Sequence, residues 1–351
     1  MRQEFAPDLH RPAAPRARSL RIDNAKAVLI WLVVVGHMIE QLAGASTASR
    51  ALYGALYLFH MPAFVMIAGM NANAALNRGA IIKSIKQLLV PLALFQVLYF
   101  GVLSVLAPHL LGEPLAPLWL LWFLLSLFTW RMILPLFLRL PHPIVLALLM
   151  AVAAGWVGDI DRSLSLSRSI VFFPVFLIGH LHGARLLSLV RRKTAMLRLL
   201  FVGVMTLAVV VVANGASLMP LFGTAPYGAL PQSWLLPELD RLLLILAGAA
   251  AAVGFLALMP DRETRVTWLS RRTMTVYLLH GVLAAAFWHI PLAGYLPPTL
   301  IGLLLVPPLA AIATIYLARL DGPLTQVLST IGDGLFRLWP RTRPSVAKAR
   351  N

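Results

Sequence analysis

Two apolar runs at the start of the chain decide its fold: KAVLIWLVVVGHMIE at positions 26–40 and ALYGALYLFHMPAFVMIAGM at positions 51–70. A short polar turn separates them, and each carries one histidine near its middle, His37 and His60. A run of about 20 apolar residues is long enough to cross a bilayer as a helix. Titratable groups at that depth are costly and usually face a bundle interior or a wet cavity. The two histidines therefore predict a site between the first two helices.

The whole composition agrees with a membrane protein. The chain has 351 residues, 60% of them hydrophobic and 12% charged, and its mean hydropathy is +0.82. Its apolar residues lie in long uncharged runs, which predicts an all-α, polytopic transmembrane helical bundle. The absence of cysteine excludes disulfides, a thiolate nucleophile and a Cys-ligated metal.

About ten spans follow from the apolar runs, and the fifth has the weakest pattern. They cover 25–44, 51–74, 88–107, 117–138, 143–158, 169–187, 197–216, 241–259, 273–290 and 299–318. The net charge of +17 could suggest a nucleic-acid partner, but the basic residues fall between the spans instead of on a soluble face. Most of the 30 Lys and Arg residues fall on one side, which predicts that both termini are cytosolic and that nucleic acid is not a partner.

This layout predicts three regions and a distinct outer face. Residues 1–20 are expected to be a disordered cytosolic tail, 21–320 the membrane domain, and 321–351 a basic cytosolic tail. Carboxylates gather at the opposite, outer side, where they either are solvated loop residues or line a pocket that binds hydroxyl groups. They are Glu40, Glu113, Asp159, Asp161, Glu238 and Asp240.

His37 and His60 are predicted at matched depth. At about 1.5 Å per residue, His37 lies roughly 18 Å from the inner face and His60 about 14 Å from the outer face. Each is either a general base or a neutral histidine that donates to a carbonyl. Glu40 lies one turn beyond His37 on the same face and could orient its imidazole. Lys26, at the cytosolic mouth, is either a positive flank or a contact for cofactor phosphates.

Other polar groups in the spans are further candidates. Arg131 either has a function within the fourth span or extends along it to the inner surface. His280 lies mid-span with Tyr277 one turn below it. The sequence contains no HExxH, Walker, GxSxG or GxGxxG motif, so no metal is predicted.

Several segments resemble the acyltransferase-3 family of membrane O-acyltransferases, particularly its fucose 4-O-acetylase-like branch. They are RIDNAKAVLIWLVVVGH (21–37), LYLFHMPAFVMIAGM (56–70), WFLLSLFTWRMILP (122–135), RSIVFFPVFLIGHLHG (168–183) and YLLH (277–280). The family opens with Arg-x10-His, and here Lys26 and His37 occupy that motif. Lysine in place of arginine keeps the charge but loses the bidentate geometry. Ala68 also departs, because the family commonly has serine there.

The resemblance implies transfer of an acyl group, commonly acetyl, from cytosolic acyl-CoA to a hydroxyl of a sugar, glycolipid or natural product, at the inner membrane. It implies His37 as the key catalytic residue. With it, we expect Glu40 to orient His37, and His60 to act as a second base or oxyanion donor. Lys26 and Arg21 are expected at the CoA phosphates, with Arg131 at the cofactor or the acceptor.

Arg168, Tyr277 and His280 are the predicted substrate contacts. An exporter or flippase of a glycan or glycolipid is the alternative, since kinked spans with intramembrane charges are typical of transporters. A catalytically silent scaffold of an envelope assembly is the third possibility.

Overall fold

The computed structural model describes residues 18–111, 116–160, 163–230, 235–290 and 297–337. Within these ranges the regular structure is entirely helical, and eight helices are long and apolar enough to cross a membrane. This confirms the polytopic helical bundle. The number of crossings and the side of each terminus stay predictions. The tail residues 1–17 and 338–351, and the carboxylates Glu113 and Asp161, lie outside the described residues.

Every predicted span coincides with one helix, although several boundaries differ. We number the helices α1 Leu20–Ile39, α2 Thr47–Met70, α3 Arg78–Leu106, α4 Trp122–Phe137, α5 Pro143–Ala153, α6 Leu166–Arg192, α7 Thr194–Ala213, α8 Pro237–Leu258, α9 Thr273–Phe287, α10 Pro298–Arg319 and α11 Asp321–Arg337. Of these, α5 and α9 are the two shorter apolar helices.

The start of α1 lies five residues before the predicted one, because Ser19 caps the helix by accepting from the Ile22 N–H at 3.4 Å. Helix α3 starts ten residues before the predicted position. It includes a π-helical stretch, Ile85–Leu89, just ahead of Pro91. A second π-helical stretch, Ile301–Leu305, precedes Pro307. A proline leaves the carbonyl one turn earlier without its donor, and a π-turn is one way for a helix to accommodate this.

Helix α2 lies at the centre of the bundle and touches α6 through glycines. A Cβ on Gly69 would lie 2.0 Å from the Phe176 carbonyl oxygen, and one on Gly179 would lie 2.1 Å from the Met66 carbonyl oxygen. The two backbones are therefore in direct contact, as small residues allow in membrane helices. This contact positions the His60 segment of α2 against the start of α6.

Helix α1 is apolar around its circumference and packs against α2, α9 and α10. Its first turn is tied to the end of α8. The Arg21 guanidinium donates to the carbonyls of Leu256 (3.1 Å) and Met259 (2.6 Å), and the Asn24 amide donates to Pro260 (2.9 Å). These bonds satisfy carbonyls at a helix end that would otherwise be unpaired, and they set the height of His37 in the bundle.

The chain continues as a helix beyond the predicted membrane domain. Helix α11 is amphipathic, and its Asp333 pairs with Lys86 of α3 at 2.5 Å. Its first residue, Asp321, accepts from the Thr275 hydroxyl at 2.6 Å. The segment that follows position 320 is thus joined to the bundle as far as the structure describes it.

Candidate active site

A cavity of about 230 Å³ lies at the end of the bundle where α1 ends and α2 and α6 begin. This is the end opposite Arg21 and Lys26. The connection before α4 and the turn at 221–224 close its sides. Its polar and aromatic lining consists of His37, Glu40, Tyr53, Tyr57, His60, His109, Trp119, Trp122, Ser165, Arg168, Phe172, Phe222 and Thr224.

His37 and Glu40 form a hydrogen-bonded pair on the cavity wall. Helix α1 gives way to a short 3-10 turn at Glu40, and the His37 Nδ1 lies 3.0 Å from the Glu40 Oε2. The carboxylate is an acceptor, so the Nδ1 carries the proton and donates. In neutral His37 the Nε2 then has a free lone pair, and no hydrogen bond from the described part of the chain engages it. A histidine held by a carboxylate in this tautomer is equipped to take a proton.

Two tryptophans hold this pair in place. The Trp119 indole N–H donates to the same Glu40 oxygen at 3.2 Å, and its ring meets the His37 ring edge-on at 4.7 Å between centroids. Trp119 has a φ of 45°, a strained value for a side chain of this size. The Trp288 indole donates to the His37 carbonyl at 3.0 Å. Ring, backbone and carboxylate are thereby all fixed.

His60 lines the same cavity but is engaged differently. It is 2% exposed, and its Nδ1 donates to the Leu56 carbonyl at 2.7 Å, one turn back on α2. Its Nε2 is therefore an acceptor in the neutral ring. In that tautomer the Nε2 can take a proton, as a second base would, whereas an oxyanion donor would need the protonated ring. Its ring packs edge-on against Tyr57 at 4.7 Å.

His280 and Tyr277 lie behind His37 and are not among the cavity-lining residues. The His280 ring is 5.1 Å from that of His37, and its Nδ1 donates to the Tyr277 carbonyl at 2.8 Å. Its Nε2 is buried and has no hydrogen-bond partner among the described residues. The Tyr277 hydroxyl donates to the Leu120 carbonyl. The structure thus brings both residues to the back of His37, outside the lining of this cavity.

Arg168 is the predicted substrate contact that does reach the cavity. It stands in the first turn of α6, its Nε donates to the Phe222 carbonyl at 3.1 Å, and its guanidinium lies 4.9 Å from the centre of the Trp122 ring. These contacts place a cation on the wall of a cavity that also contains the Glu40 carboxylate.

The predicted cofactor contacts lie away from this cavity. Lys26 is eleven residues before His37 on α1, about 16 Å along the helix, and its Nζ is 3.5 Å from the Asp23 carboxylate. The guanidinium of Arg21 donates to the α8 carbonyls, as described above. Arg131 is half-buried on α4 and does not line the cavity. Among the described residues, no group of three or more His, Asp or Glu side chains could hold a metal ion.

Sequence reasoning missed the parts of the site that come from distant segments. Trp119 and Trp288 bind the His37–Glu40 pair although they lie far from it in the sequence. The only available signal was general: a buried indole N–H usually finds an acceptor. Tyr53, Tyr57 and Phe222, which form an aromatic wall, carry no motif that marks them.

Comparisons with known proteins show the family to which the chain belongs. A family model described as an acyltransferase domain matches residues 19–319. Nodulation protein NolL of Mesorhizobium japonicum is 28% identical over 188 residues, covering 48% of this chain and 49% of that protein. Nodulation protein NolL of Sinorhizobium fredii is 32% identical over 87 residues, covering 23% of this chain and 24% of that protein. The matched parts span at most about half the length of these curated relatives, and no solved structure matches. The chain belongs to the acyltransferase-3 family, with the His37–Glu40 pair inside the matched region.

Proposed function

We propose that this membrane acyltransferase moves an acetyl or other acyl group from cytosolic acyl-CoA to a hydroxyl of a sugar, glycolipid or other envelope or secreted glycan. The observation that carries the proposal is the His37–Glu40 pair on the wall of a cavity large enough for a sugar. We infer an inner-membrane location from the family resemblance, and the basic residues between the spans favour an orientation with both termini in the cytosol.

In this proposal the Nε2 of His37 takes the proton of the acceptor hydroxyl while Glu40 holds the opposite side of the ring. The acceptor oxygen attacks the thioester carbonyl, the carbon–sulfur bond breaks, and the CoA thiol leaves with the proton. Transfer through an acyl-histidine would use the same Nε2, first as nucleophile and then as leaving group. Both routes need the proton to stay on Nδ1, where it is hydrogen-bonded to Glu40, so both depend on the His37–Glu40 pair.

The donor enters, in this account, from the end of α1 that carries Lys26. The adenosine phosphates stay at that end, where Lys26 offers a cation that is only partly paired with Asp23. The pantetheine arm then has to cross about 16 Å to the reacting nitrogen. Arg21 contributes by fixing α1, since its guanidinium already binds the α8 carbonyls.

The acceptor occupies the cavity itself. Its hydroxyls donate to the Glu40 carboxylate and accept from Arg168, and the rings of Tyr57 and Trp119 also line the cavity. Sugar rings present both hydroxyls and apolar C–H faces, so this mixture of groups suits them. His60 accepts a second hydroxyl proton through its free Nε2.

The test is labelled transfer in membranes given radioactive acetyl-CoA. We expect His37→Ala to abolish transfer to envelope material at normal expression. His109→Ala changes the same residue type on the wall of the same cavity, where no described carboxylate pairs with it, and should retain most of the activity. Retained transfer in His37→Ala would refute the proposal. Export of a glycan without any acyl product would favour the transporter alternative.

A further inference from the structure

A second, larger cavity of about 460 Å³ opens on the side of the bundle, between α2, α7 and α8. We call it the lateral groove. Its walls are mostly apolar and include Leu58 of α2, Leu207 and Ala208 of α7, and Leu243 and Ala247 of α8. Its polar lining residues are Ser217, Thr224, Asp240 and Arg241, which lie in the 216–225 connection and the first turns of α8. The connection at 216–225, between α7 and α8, lines one end of the groove.

The lateral groove opens on the exposed side of α7 and α8, which we expect to face the hydrocarbon of the bilayer. Leu207 and Leu243 are 63% and 47% exposed, and both belong to helices long and apolar enough to cross the membrane. The groove uses the last turns of α7 and the first turns of α8 and α2, so it lies at the same end of the bundle as the His37 cavity. By the charge pattern this is the half nearer the outer surface.

A small third cavity of about 30 Å³ lies between the lateral groove and the His37 cavity. It shares Leu58 with the groove and Tyr57 with the cavity, two consecutive residues of α2, and Arg241 also lines it. One water needs about 10–15 Å³ by this measure, so this space is too small for a sugar ring. Tyr57 in turn lies 6.4 Å from the His37 ring, centroid to centroid.

We propose that the lateral groove holds the hydrocarbon chain of a lipid-linked acceptor, whose hydroxyl-bearing headgroup lies in the His37 cavity. The inference deepens and rests on the proposed function. The alternative occupant, a long acyl chain on the CoA donor, would have to arrive from the opposite end of the bundle, where Lys26 lies. A chain that leaves the bilayer for the groove gains little hydrophobic free energy. The groove therefore acts by orienting the headgroup on His37.

The first test asks where the product partitions. Membranes are given radioactive acetyl-CoA and the label is separated into solvent-extractable lipid and water-soluble material. We expect the label in the lipid fraction. No label at all in either fraction would refute the proposed function, whereas label found only in water-soluble material would refute the lateral groove as an acceptor site.

The second test fills the groove. Ala247→Trp and Ala208→Trp put bulk on its two walls, and Val202→Trp puts the same bulk on an exposed position of α7 outside it. Since overpacking a shaped space is strongly unfavourable, we expect a loss of about tenfold in lipid-fraction labelling for each of the first two. Val202→Trp should stay near wild type. Equal rates of lipid-fraction labelling in Ala247→Trp, Ala208→Trp and Val202→Trp would overturn the inference.

Photolabelling gives a readout that does not depend on turnover. A dodecyl glucoside with a diazirine at the end of its chain is irradiated with the protein in nanodiscs, and the labelled peptides are mapped. We expect α7 and α8 peptides that line the groove, in wild type and in His37→Ala, with competition by unlabelled dodecyl glucoside and not by methyl glucoside. Even labelling along all lipid-facing helices, or displacement by palmitoyl-CoA instead of dodecyl glucoside, would contradict the assignment.

Discussion

Replacing Glu40 by glutamine tests the His37–Glu40 pair with the smallest change of shape. Glutamine keeps the length of the side chain and an oxygen that can accept from Trp119. It removes the charge, and because His37 and Trp119 both donate to the same Glu40 oxygen, the amide oxygen takes that position and accepts from both. The Nδ1 proton stays in place, and what is lost is the negative charge that stabilises the imidazolium formed when Nε2 takes a proton.

The size of the effect follows from the geometry of the pair. A hydrogen bond to a charged group contributes about 1.5–3 kcal/mol, and each 1.36 kcal/mol changes a rate about tenfold. The Glu40 side chain is 25% exposed, so water screens part of its charge. We therefore expect kcat to fall about 10- to 100-fold, towards the lower end because a neutral hydrogen bond to His37 remains.

The assay is steady-state transfer from radioactive acetyl-CoA by purified protein in nanodiscs. Asp159→Asn is the matched control, because it makes the same charge change on an exposed residue of the predicted outer side. We expect it to match wild type in rate and in melting temperature. A Glu40→Gln enzyme with kcat within about twofold of wild type would refute the role of the carboxylate.

Three further predictions concern Trp119, the α2–α6 contact and the two basic residues at the start of α1. Trp119→Phe removes one hydrogen bond to Glu40 and should lower kcat about three- to tenfold without loss of folded protein, measured in the same assay. Gly179→Val would put a Cβ 2.1 Å from the α2 backbone and should prevent recovery of monodisperse protein, while Gly203→Val, with nothing within 4 Å of its Cβ, should elute and melt normally. Arg21→Met should lower the melting temperature by removing two bonds to α8 carbonyls. Lys26→Met should leave the melting temperature unchanged and raise the KM for acetyl-CoA. A lowered melting temperature in Lys26→Met, or a raised KM with an unchanged melting temperature in Arg21→Met, would contradict these roles.

The fold was largely predictable because the bilayer constrains membrane helices so strongly. Long uncharged runs have few alternatives in lipid, and each predicted span coincides with a helix. The boundaries were less predictable, because they depend on local capping and on prolines. Ser19 extends α1 towards the inner side, and the π-helical stretch ahead of Pro91 lets α3 begin at Arg78. Neither feature has a hydrophobicity signal.

The candidate site was predictable only where its residues are close in sequence. His37 and Glu40 are three positions apart, and helical spacing alone predicts their contact. Arg168, Tyr277 and His280 were singled out as polar groups in apolar surroundings, but only the fold shows that Arg168 reaches the cavity while the other two lie behind His37. Long-range contacts of this kind depend on how the helices pack, which one sequence does not specify.

Chemical rescue measures the central claim most directly. The enzyme in nanodiscs is assayed with radioactive acetyl-CoA and its membrane acceptor, as wild type and as His37→Gly, with and without added imidazole. The account predicts that His37→Gly is inactive and that imidazole, diffusing into the space left beside Glu40, restores part of the transfer. A fully active His37→Gly enzyme, insensitive to imidazole, would contradict the account.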